Sequence, residues 1–392
     1  MSSKALSAIV GTGVSALVRK YDLSADMYAA QAIDRALADA GLEPGQIDGL
    51  LINRSPVARD QEFTLAMQNR MGYRRLRLMA EVDGEGSSAI QMIHYATLAI
   101  GAGMASRVMC VFADTPLKPN VRGVDAFGST LPILDFDGWE RASGLYAPVG
   151  TFALMASYHM ARYGISQEQL AGVAISNRRW ASLNPDAKLR APLDLQTYLC
   201  SPVIAAPLRV LDCAYPVNGA AAFVVSAVDS VAPYGEAPAP VAYVHGMGQG
   251  HSTDPFSSLD GDEGSGAQMS AQSAYEMCGV RPGDIDCRQF YEAFSYSNLY
   301  SLEEYGFCAR GESGELVASG AIAPGGGLPT NTGGGHTSCY YLQGMTPILE
   351  AVTQVRSRAG ARQQRAELVL ATGIGSFLQH HACVIMSPHQ VL

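Results

Sequence analysis

The stretch GLEPGQIDGLLI at residues 41–52 has a counterpart in GVRPGDIDCRQF at residues 279–290. In both, a glycine follows a segment with helical periodicity, a Pro-Gly turn comes next, and Ile-Asp precedes a short strand. Because the same punctuation occurs twice, the sequence predicts an internal repeat and two related halves of one architecture. We set the halves at residues 1–235 and 236–392, with an inserted loop region at about 115–210 in the first half.

Strands and helices alternate around these two stretches. Short apolar runs at residues 8–10, 47–52 and 108–113 are typical of buried strands. Helices are predicted after the N-cap Ser24, ending at Gly41, and over residues 87–100. The alternation predicts a layered α/β fold. Further predictions are helices at 151–164, 167–181 and 266–278, strands at 220–227 and 241–246, and a long functional loop at 115–150.

The composition excludes several classes of protein. The chain has 392 residues, of which 48% are hydrophobic and 16% charged, so it is not intrinsically disordered. A net charge of −9 without a Lys/Arg run argues against nucleic-acid binding. No segment has the roughly 18 apolar residues of a membrane span. The eight cysteines show no CxxC spacing, which indicates reduced thiols in a cytoplasmic protein without a metal site.

Four stretches together resemble the thiolase superfamily, and more narrowly its lipid-transfer-protein-like branch, which includes steroid side-chain-cleaving aldolases. They are AGLEPGQIDGLLI (40–52), PLRVLDCAYPVNGAAAFVVSA (207–227), FYEAFSYSNLYSLEEYGFCARGE (290–312) and GGGLPTNTGGGHTSCYYLQGMTPILEAVTQVR (325–356). The resemblance implies a five-layer αβαβα fold of two similar halves, an acyl-CoA substrate and a homodimer. It implies no cofactor in this chain, since CoA is part of the substrate.

The chain departs from thiolases at the positions that carry their chemistry. In thiolases a nucleophilic Cys precedes a helix whose N-terminus lowers the thiol pKa. Here Asp83 occupies that position, and Thr372 stands near the position of the second thiolase Cys. Tyr291 and Tyr341 replace residues of the two loops that hold the enolate in thiolases. These departures resemble aldolases, which cleave a β-hydroxyacyl-CoA.

Retro-aldol cleavage needs a base for the β-hydroxyl, donors for the enolate and an acid for its carbon, but no nucleophile. We assign the base to Tyr341 and the acid or enolate donor to Tyr291, and the two roles are interchangeable at this stage. The neighbouring Tyr340 is a second candidate for the position of Tyr341. The favoured substrate is a steroid side chain, cleaved to a ketone and a short acyl-CoA, and this rests on the resemblance alone.

Other side chains are predicted to support this site. Glu292, His336, His381 and Asp83 are candidate supporting or oxyanion residues, and Lys188, Arg190, Gly334 and Gly335 are candidates for binding substrate or CoA. The branch also resembles aldolases that work with a small OB-fold and zinc-ribbon partner, so we expect such a partner here.

Three alternatives remain at the level of sequence. Gly11 and Gly13 fit G-x-G-x-x-A after a strand, which suggests a nicotinamide-binding enzyme. Cys339 lies in the last motif and is the candidate nucleophile of a thiolase or acyltransferase. The third alternative is a non-catalytic, thiolase-like scaffold that binds acyl-CoA or lipid.

Overall fold

The computed structural model describes residues 4–57, 63–121, 123–127, 138–139, 142–145, 147–231, 240–252 and 264–392. In the first half, α1 begins after Ser24 and ends at Gly41, whose φ of 64° is left-handed, as predicted. The elements of this half are β1 (Ser7–Val14), α1 (Ala25–Ala40), β2 (Gly49–Asn53), α2 (Phe63–Met71), β3 (Leu78–Val82), α3 (Ser88–Gly101), β4 (Arg107–Asp114), α4 (Gly123–Phe127), α5 (Pro148–Tyr163), α6 (Gln167–Ser182), α7 (Leu195–Leu199), β5 (Val203–Ala205), β6 (Leu208–Arg209) and β7 (Gly219–Ser226).

The second half has the same alternation of strands and helices. Its elements are β8 (Ala242–His251), α8 (Gly266–Cys278), β9 (Cys287–Gln289), α9 (Ser295–Glu304), α10 (Ser313–Ala318), α11 (Met345–Val355), β10 (Val369–Gly375) and β11 (His380–Ser387). A π-helical turn at Gly335–Cys339 precedes α11. The predicted strands and helices therefore form, with shifts of a few residues at their ends.

The repeated stretch folds the same way twice. Each copy runs from a helix through a left-handed glycine and a 3₁₀ turn into a strand, and the second glycine, Gly279, has a φ of 71°. The residue before each 3₁₀ turn makes the same capping hydrogen bond. The Glu43 backbone N–H donates to Gln46 Oε1 and the Arg281 N–H donates to Asp284 Oδ2, both at 2.8 Å. The internal repeat is thus confirmed as repeated structure.

The strands form one hydrogen-bonded sheet in the order β3-β2-β4-β7-β1-β8-β11-β10-β9. The first five strands come from the first half and the last four from the second. The two sets join where β1 pairs with β8, from Ser7 opposite Val244 to Ile9 opposite Ala242. β3, β2 and β4 are parallel, as are β9 and β10, and this places their carboxyl ends at common edges.

Helices cover both faces of both sets of strands. Residues alternate along each strand, so Leu50 and Ile52 of β2 pack towards α1 while Leu51 packs towards α3. In the second half α8 packs on β8 and β11. The largest core cluster joins α3, α11 and strands of both halves. The layers are therefore helices, the strands of the first half, the central helices α3 and α11, the strands of the second half, and helices. This order confirms the five-layer αβαβα fold, with its two strand layers joined edge to edge in one sheet.

Two predictions concern residues that the structure describes only in part. The proposed boundary at residue 235 lies within residues 232–239, which are outside the described ranges, so the division of the chain there stays a prediction. Of the predicted loop at 115–150, residues 128–137 are also outside them. The described part of that loop includes α4 and the first turn of α5. Within the described residues, no helix is long and apolar enough to span a membrane.

Gly11 and Gly13 lie inside β1 instead of forming a phosphate-binding turn. A Cβ on Gly11 would lie 2.4 Å from the Ala36 carbonyl oxygen, and one on Gly13 would lie 2.1 Å from that of Ala32. Both glycines therefore allow α1 to pack directly on the strand. This packing leaves no room for a pyrophosphate and removes the basis of the nicotinamide alternative.

Candidate active site

Tyr291 and Tyr341 face each other across a partly buried contact. Tyr291 follows β9, and Tyr341 lies between the π-helical turn and α11. Their hydroxyl oxygens are 2.9 Å apart, within hydrogen-bonding distance. The Tyr291 backbone N–H donates to Thr372 Oγ1 at 3.1 Å, which ties this loop to β10. The structure thus brings together the two residues that the sequence assigned to catalysis.

Burial governs the ionisation of both tyrosines. It raises the pKa of the Tyr291 hydroxyl, and the hydrogen bond with Tyr341 opposes part of that rise. Burial and the neighbouring Tyr291 raise the pKa of Tyr341 well above its usual value. Both hydroxyls are therefore neutral near pH 7. A neutral pair serves as hydrogen-bond donors and as a path for protons, not as a preformed tyrosinate base.

His336 completes a triangle of rings with the two tyrosines. Its ring centroid lies 4.9 Å from that of Tyr291 and 5.1 Å from that of Tyr341, and both contacts are edge-to-face. Its Nδ1 lies 3.1 Å from the Glu292 carbonyl oxygen. Burial lowers the pKa of His336 to about 3, so the imidazole is neutral near pH 7. His336 therefore holds the tyrosine rings as a neutral wall of the site.

Glu292 holds the surrounding loops together. Its fully buried carboxylate accepts hydrogen bonds from neutral donors of Asn177, Asn298, Asn331 and Thr337. These donors belong to α6, α9, the loop before the π-helical turn and that turn itself. Burial raises the pKa of Glu292, whereas the donors favour its ionised form and oppose the rise. This geometry supports a positioning role for Glu292 instead of an oxyanion-binding one.

Glycines let three backbone segments meet beside the tyrosines. A Cβ on Gly86, in the turn before α3, would lie 2.5 Å from the Tyr291 ring. One on Gly344, in the turn before α11, would lie 2.4 Å from the Gly86 carbonyl oxygen. A Cβ on Gly373 of β10 would lie 2.9 Å from the same oxygen. The start of α3 is thus pressed against the tyrosine pair.

Gly334 and Gly335 are also needed for packing. Both have left-handed φ values, 102° and 58°. A Cβ on Gly335 would lie 2.4 Å from Glu292 Oε1, and one on Gly334 would lie 2.7 Å from the Ala181 side chain. The two glycines therefore let the π-helical turn reach Glu292 and α6. Their predicted contact with substrate stays a prediction.

Two predicted supporting residues point elsewhere. The Asp83 side chain is 47% exposed and lies 3.5 Å from the Arg54 guanidinium. His381 is buried, stacks on Tyr300 at 5.7 Å and lies 3.1 Å from the Leu378 carbonyl oxygen through Nε2. The contacts of both side chains therefore give no support to a role at the tyrosine pair. Sequence could not show this, because a residue's position along the chain does not fix its side-chain direction.

Lys188 and Arg190 are exposed on a loop that touches the site. The Lys188 side chain donates to the Leu17 carbonyl oxygen at 3.1 Å. The Lys188 backbone N–H donates to the Cys339 carbonyl oxygen at 3.0 Å. Arg190 donates to the Ser182 carbonyl oxygen at 3.3 Å. The loop is thus joined to the π-helical turn, whereas binding of CoA phosphates by these cations stays a prediction.

Tyr340 and Cys339 face a different space from Tyr341. Both line a cavity of about 120 Å³, together with His336 and the buried ion pair of Glu350 and Arg362. Burial raises the pKa of the Cys339 thiol, and its sulfur accepts a hydrogen bond from Asn184 at 3.4 Å. A buried, protonated thiol is a poor nucleophile. The geometry therefore disfavours Cys339 as an acyl acceptor and Tyr340 as the partner of Tyr291.

Three polar residues of the site were missed by sequence reasoning. Gln343 is buried and accepts a hydrogen bond from the Tyr341 hydroxyl at 2.7 Å. Glu85 has a left-handed φ of 48°, accepts a bond from the Ser376 N–H at 2.8 Å, and contributes to the raised pKa values of both tyrosines. Asp114 lies at the carboxyl end of β4 and contributes to the raised pKa of Tyr341. Its end-of-strand position was the one available sequence signal.

Asp114 is itself a perturbed carboxyl group. Burial raises its pKa to about 6, against hydrogen bonds that Oδ1 accepts from the Ser55 hydroxyl and the Thr115 N–H. Among the described residues, no group of three His, Cys, Asp or Glu side chains is arranged to bind a metal ion. The described side chains of this site supply tyrosine hydroxyls, a neutral imidazole and carboxyl groups.

Known proteins resemble the chain over nearly its whole length. Residues 239–388 match the family described as thiolase C-terminal domain-like. A steroid side-chain-cleaving aldolase of Thermomonospora curvata is 31% identical, over 89% of this chain and 90% of that protein. The 17-hydroxy-3-oxo-4-pregnene-20-carboxyl-CoA lyase of Mycobacterium tuberculosis is also 31% identical, over 93% and 95%. These matches confirm the resemblance that the four sequence stretches indicated.

The fold agrees with this likeness. A solved structure described as "Ltp2-ChsH2(DUF35) aldolase" superposes with a TM-score of 0.85 and 29% sequence identity, and covers 97% of both chains. An acetyl-CoA acetyltransferase from Syntrophomonas wolfei superposes with a TM-score of 0.71 at 14% identity. The second likeness shows the shared fold alone.

Proposed function

Because this chain belongs to the thiolase superfamily, and within it to the family of steroid side-chain-cleaving aldolases, we propose that it cleaves a β-hydroxyacyl-CoA by a retro-aldol reaction. The observation that carries this proposal is the partly buried contact of 2.9 Å between the Tyr291 and Tyr341 hydroxyls. The pair lies beside the start of α3, where a thiolase has its cysteine and this chain has none.

The reaction moves one proton and one electron pair within the substrate. The β-hydroxyl gives up its proton, the bond between the α and β carbons breaks, and the β carbon becomes a ketone. The electron pair of that bond forms the enolate of the shorter acyl-CoA, whose α carbon then takes a proton. Two neutral tyrosines suit this balance, because the pair can accept one proton at one oxygen and release another from the other oxygen. No ionised tyrosine is then required.

The remaining walls of the site support this chemistry. His336 stays neutral, and the Glu292 carboxylate bonds to side chains such as Asn177 and Asn331 instead of to the tyrosine hydroxyls. A hydrogen-bond donor at the thioester oxygen stabilises the developing enolate. Partial burial of the tyrosine pair strengthens hydrogen bonds there, because the local dielectric constant is lower than that of water.

The proposed substrate is a steroid CoA thioester with a tertiary β-hydroxyl. Support comes from the names of two relatives, a steroid side-chain-cleaving aldolase and a pregnene carboxyl-CoA lyase. We also propose a small partner of the OB-fold and zinc-ribbon type, since the structure that superposes over the whole chain is described with a DUF35 component. Free thiols throughout the chain favour the cytoplasm as its location.

We further propose a homodimer built along the edge strand β3. This strand pairs with β2 on one side, and its residues are alternately exposed. Met79 of β3 and Tyr95 and Leu98 of the adjacent α3 are exposed apolar side chains, and Leu98 is 62% exposed. Within the described residues the other edge of β3 pairs with no strand, and such an edge beside exposed apolar side chains is suited to pairing with a second copy. Light scattering tests this: Leu98→Glu should give a monomer, whereas Leu154→Glu, at an exposed site on α5, should not.

The test of function is an assay of the chain co-expressed with a DUF35-type partner. The substrates are β-hydroxyacyl-CoA thioesters with steroid and with linear acyl chains, and the products to be measured are the ketone and the short acyl-CoA. We expect cleavage of the steroid thioester and its loss in the Tyr291→Phe protein. Acyl transfer to free CoA would favour a thiolase, and tight binding without turnover of any thioester would favour a scaffold.

A further inference from the structure

Gln343 carries an unusual combination of features for a residue without an assigned role. It is 2% exposed, and its φ of 50° is left-handed, although it is not a glycine. Its side-chain oxygen lies 2.7 Å from the Tyr341 hydroxyl. A left-handed backbone at a bulky buried residue costs free energy and persists where the surrounding structure requires it. The surrounding structure therefore holds the amide of Gln343 against the tyrosine pair.

The contact fixes the direction of two hydrogen bonds. An amide oxygen only accepts, so the Tyr341 O–H donates to Gln343 Oε1. A hydroxyl has a single hydrogen, so Tyr341 must accept from Tyr291 in their 2.9 Å contact. Both O–H bonds then point the same way, from Tyr291 through Tyr341 to Gln343. The oxygen of Tyr291 is left able to accept a hydrogen bond from a ligand.

We propose that Gln343 is a positioning residue that sets the direction of proton movement through the tyrosine pair. The substrate β-hydroxyl donates to Tyr291, whose own proton passes to Tyr341, and the hydrogen of Tyr341 turns from Gln343 to the α carbon of the enolate. Protons balance, because the pair takes one from the substrate oxygen and returns one to the substrate carbon. This inference rests on the proposed function, and it places the base role on Tyr291 and the acid role on Tyr341.

Two substitutions distinguish the effect of the Gln343 side-chain amide from the effect of its left-handed backbone conformation. Gln343→Gly removes the acceptor and adopts a φ of 50° without strain, whereas Gln343→Glu keeps an acceptor and removes the donor. Ser357→Gly is the matched control, because Ser357 has a φ of 55° after the end of α11. The assay uses the co-expressed complex and the steroid thioester. Control and wild type should give equal kcat values.

We expect Gln343→Gly to lower kcat by about tenfold, the value of one hydrogen bond of about 1.4 kcal/mol, with KM within about threefold of wild type. Gln343→Glu should keep most of the wild-type kcat. Wild-type kcat in Gln343→Gly would overturn the inference and leave the proposed function intact. A kcat of Gln343→Glu as low as that of Gln343→Gly would overturn it too, because the amide would then act as a donor to Tyr341.

Urea unfolding tests the bond direction without turnover. If Tyr341 donates to residue 343, Tyr341→Phe should lower the unfolding midpoint more in the Gln343→Glu protein than in wild type at pH 8. The reason is that a hydroxyl bonds more strongly to a carboxylate than to an amide oxygen. An equal or smaller shift would overturn the inference. This result does not depend on cleavage, so it stands even if every thioester proves to be no substrate.

Discussion

The turns that open the two central helices end alike but begin with different side chains. Residues 83–87 lead into α3 of the first half, and residues 341–344 lead into α11 of the second half. Each has a left-handed, non-glycine residue one place before a glycine, Glu85 at 48° and Gln343 at 50°. Gly86 and Gly344 then meet face to face.

The chemistry is carried by the second turn alone. In the first turn Asp83 is half exposed and paired with Arg54, whereas in the second Tyr341 is held by Tyr291 and Gln343. In a thiolase, as the sequence resemblance implies, the first turn supplies the nucleophile. The contrast teaches that one backbone device can position either a nucleophile or a proton-transfer group. What differs is the side chain two residues before the left-handed position.

The largest expected effect is on the second turn. Tyr341→Phe should lower kcat for the steroid thioester by about 100-fold or more, because general acid–base catalysis contributes about that much. Tyr340→Phe is the matched control and should stay within about threefold of wild type, since Tyr340 lines the separate cavity. Near-wild-type turnover by Tyr341→Phe, with an intact circular dichroism spectrum, would remove the contrast between the two turns.

A second effect concerns the support of the tyrosine loops. Glu292→Gln should lower the free energy of unfolding by about 2 kcal/mol, since its new NH₂ group faces buried donors of Asn177 or Asn331. Urea unfolding measures this loss. Glu312→Gln, at an exposed carboxylate that accepts from the Ala309 N–H, should cost much less. Equal losses in the two proteins would show that Glu292 is not the anchor of these loops.

Acid should weaken the second half through its buried histidines. Burial lowers the pKa values of His336 and His381 to about 3 in the folded protein, against about 6.5 in the unfolded chain. The unfolded chain therefore binds more protons between these values, and stability is present above about pH 6.5 and is lost as the pH falls towards 3. His381→Phe should flatten this dependence in urea unfolding at pH 7 and pH 5. An unchanged slope would contradict the buried, neutral state of His381.

The smallest effect is expected where a thiol is restored. Asp83→Cys should stay within about threefold of wild-type lyase activity and gain no acyl transfer, because side chain 83 is exposed beside Arg54. Acyl transfer to CoA and trapping of an acyl-enzyme measure the gain. Appearance of either would mean that the first turn can still act as a thiolase turn, and the contrast would then depend on one residue.

Much of this molecule was predictable from local patterns. The periodicity and end signals of the helices at 25–40 and 266–278 fixed their type and nearly their ends. Tyr291 and Tyr341 were identified from motifs, because family loops keep their spacing along the chain. Gln343 gave no sequence signal, since a buried amide in such a loop is recognised only by the atom it contacts. Asp83 was predicted as a supporting residue because alignment gives a residue's position along the chain. Alignment does not show where its side chain points, and Asp83 is half exposed beside Arg54.

The sequence by itself determined the repeated α/β halves and the lack of a cysteine before α3, since both follow from residue order. The tertiary structure decided which side chains meet. Tyr291 and Tyr341 are 50 residues apart in sequence, and glycine-lined contacts bring their hydroxyls within 2.9 Å. It also decided that Glu292 bonds to four neighbouring residues and that Tyr341 donates to Gln343. Hydrogen-bond direction depends on which donor and acceptor are buried together, and that is a property of packing.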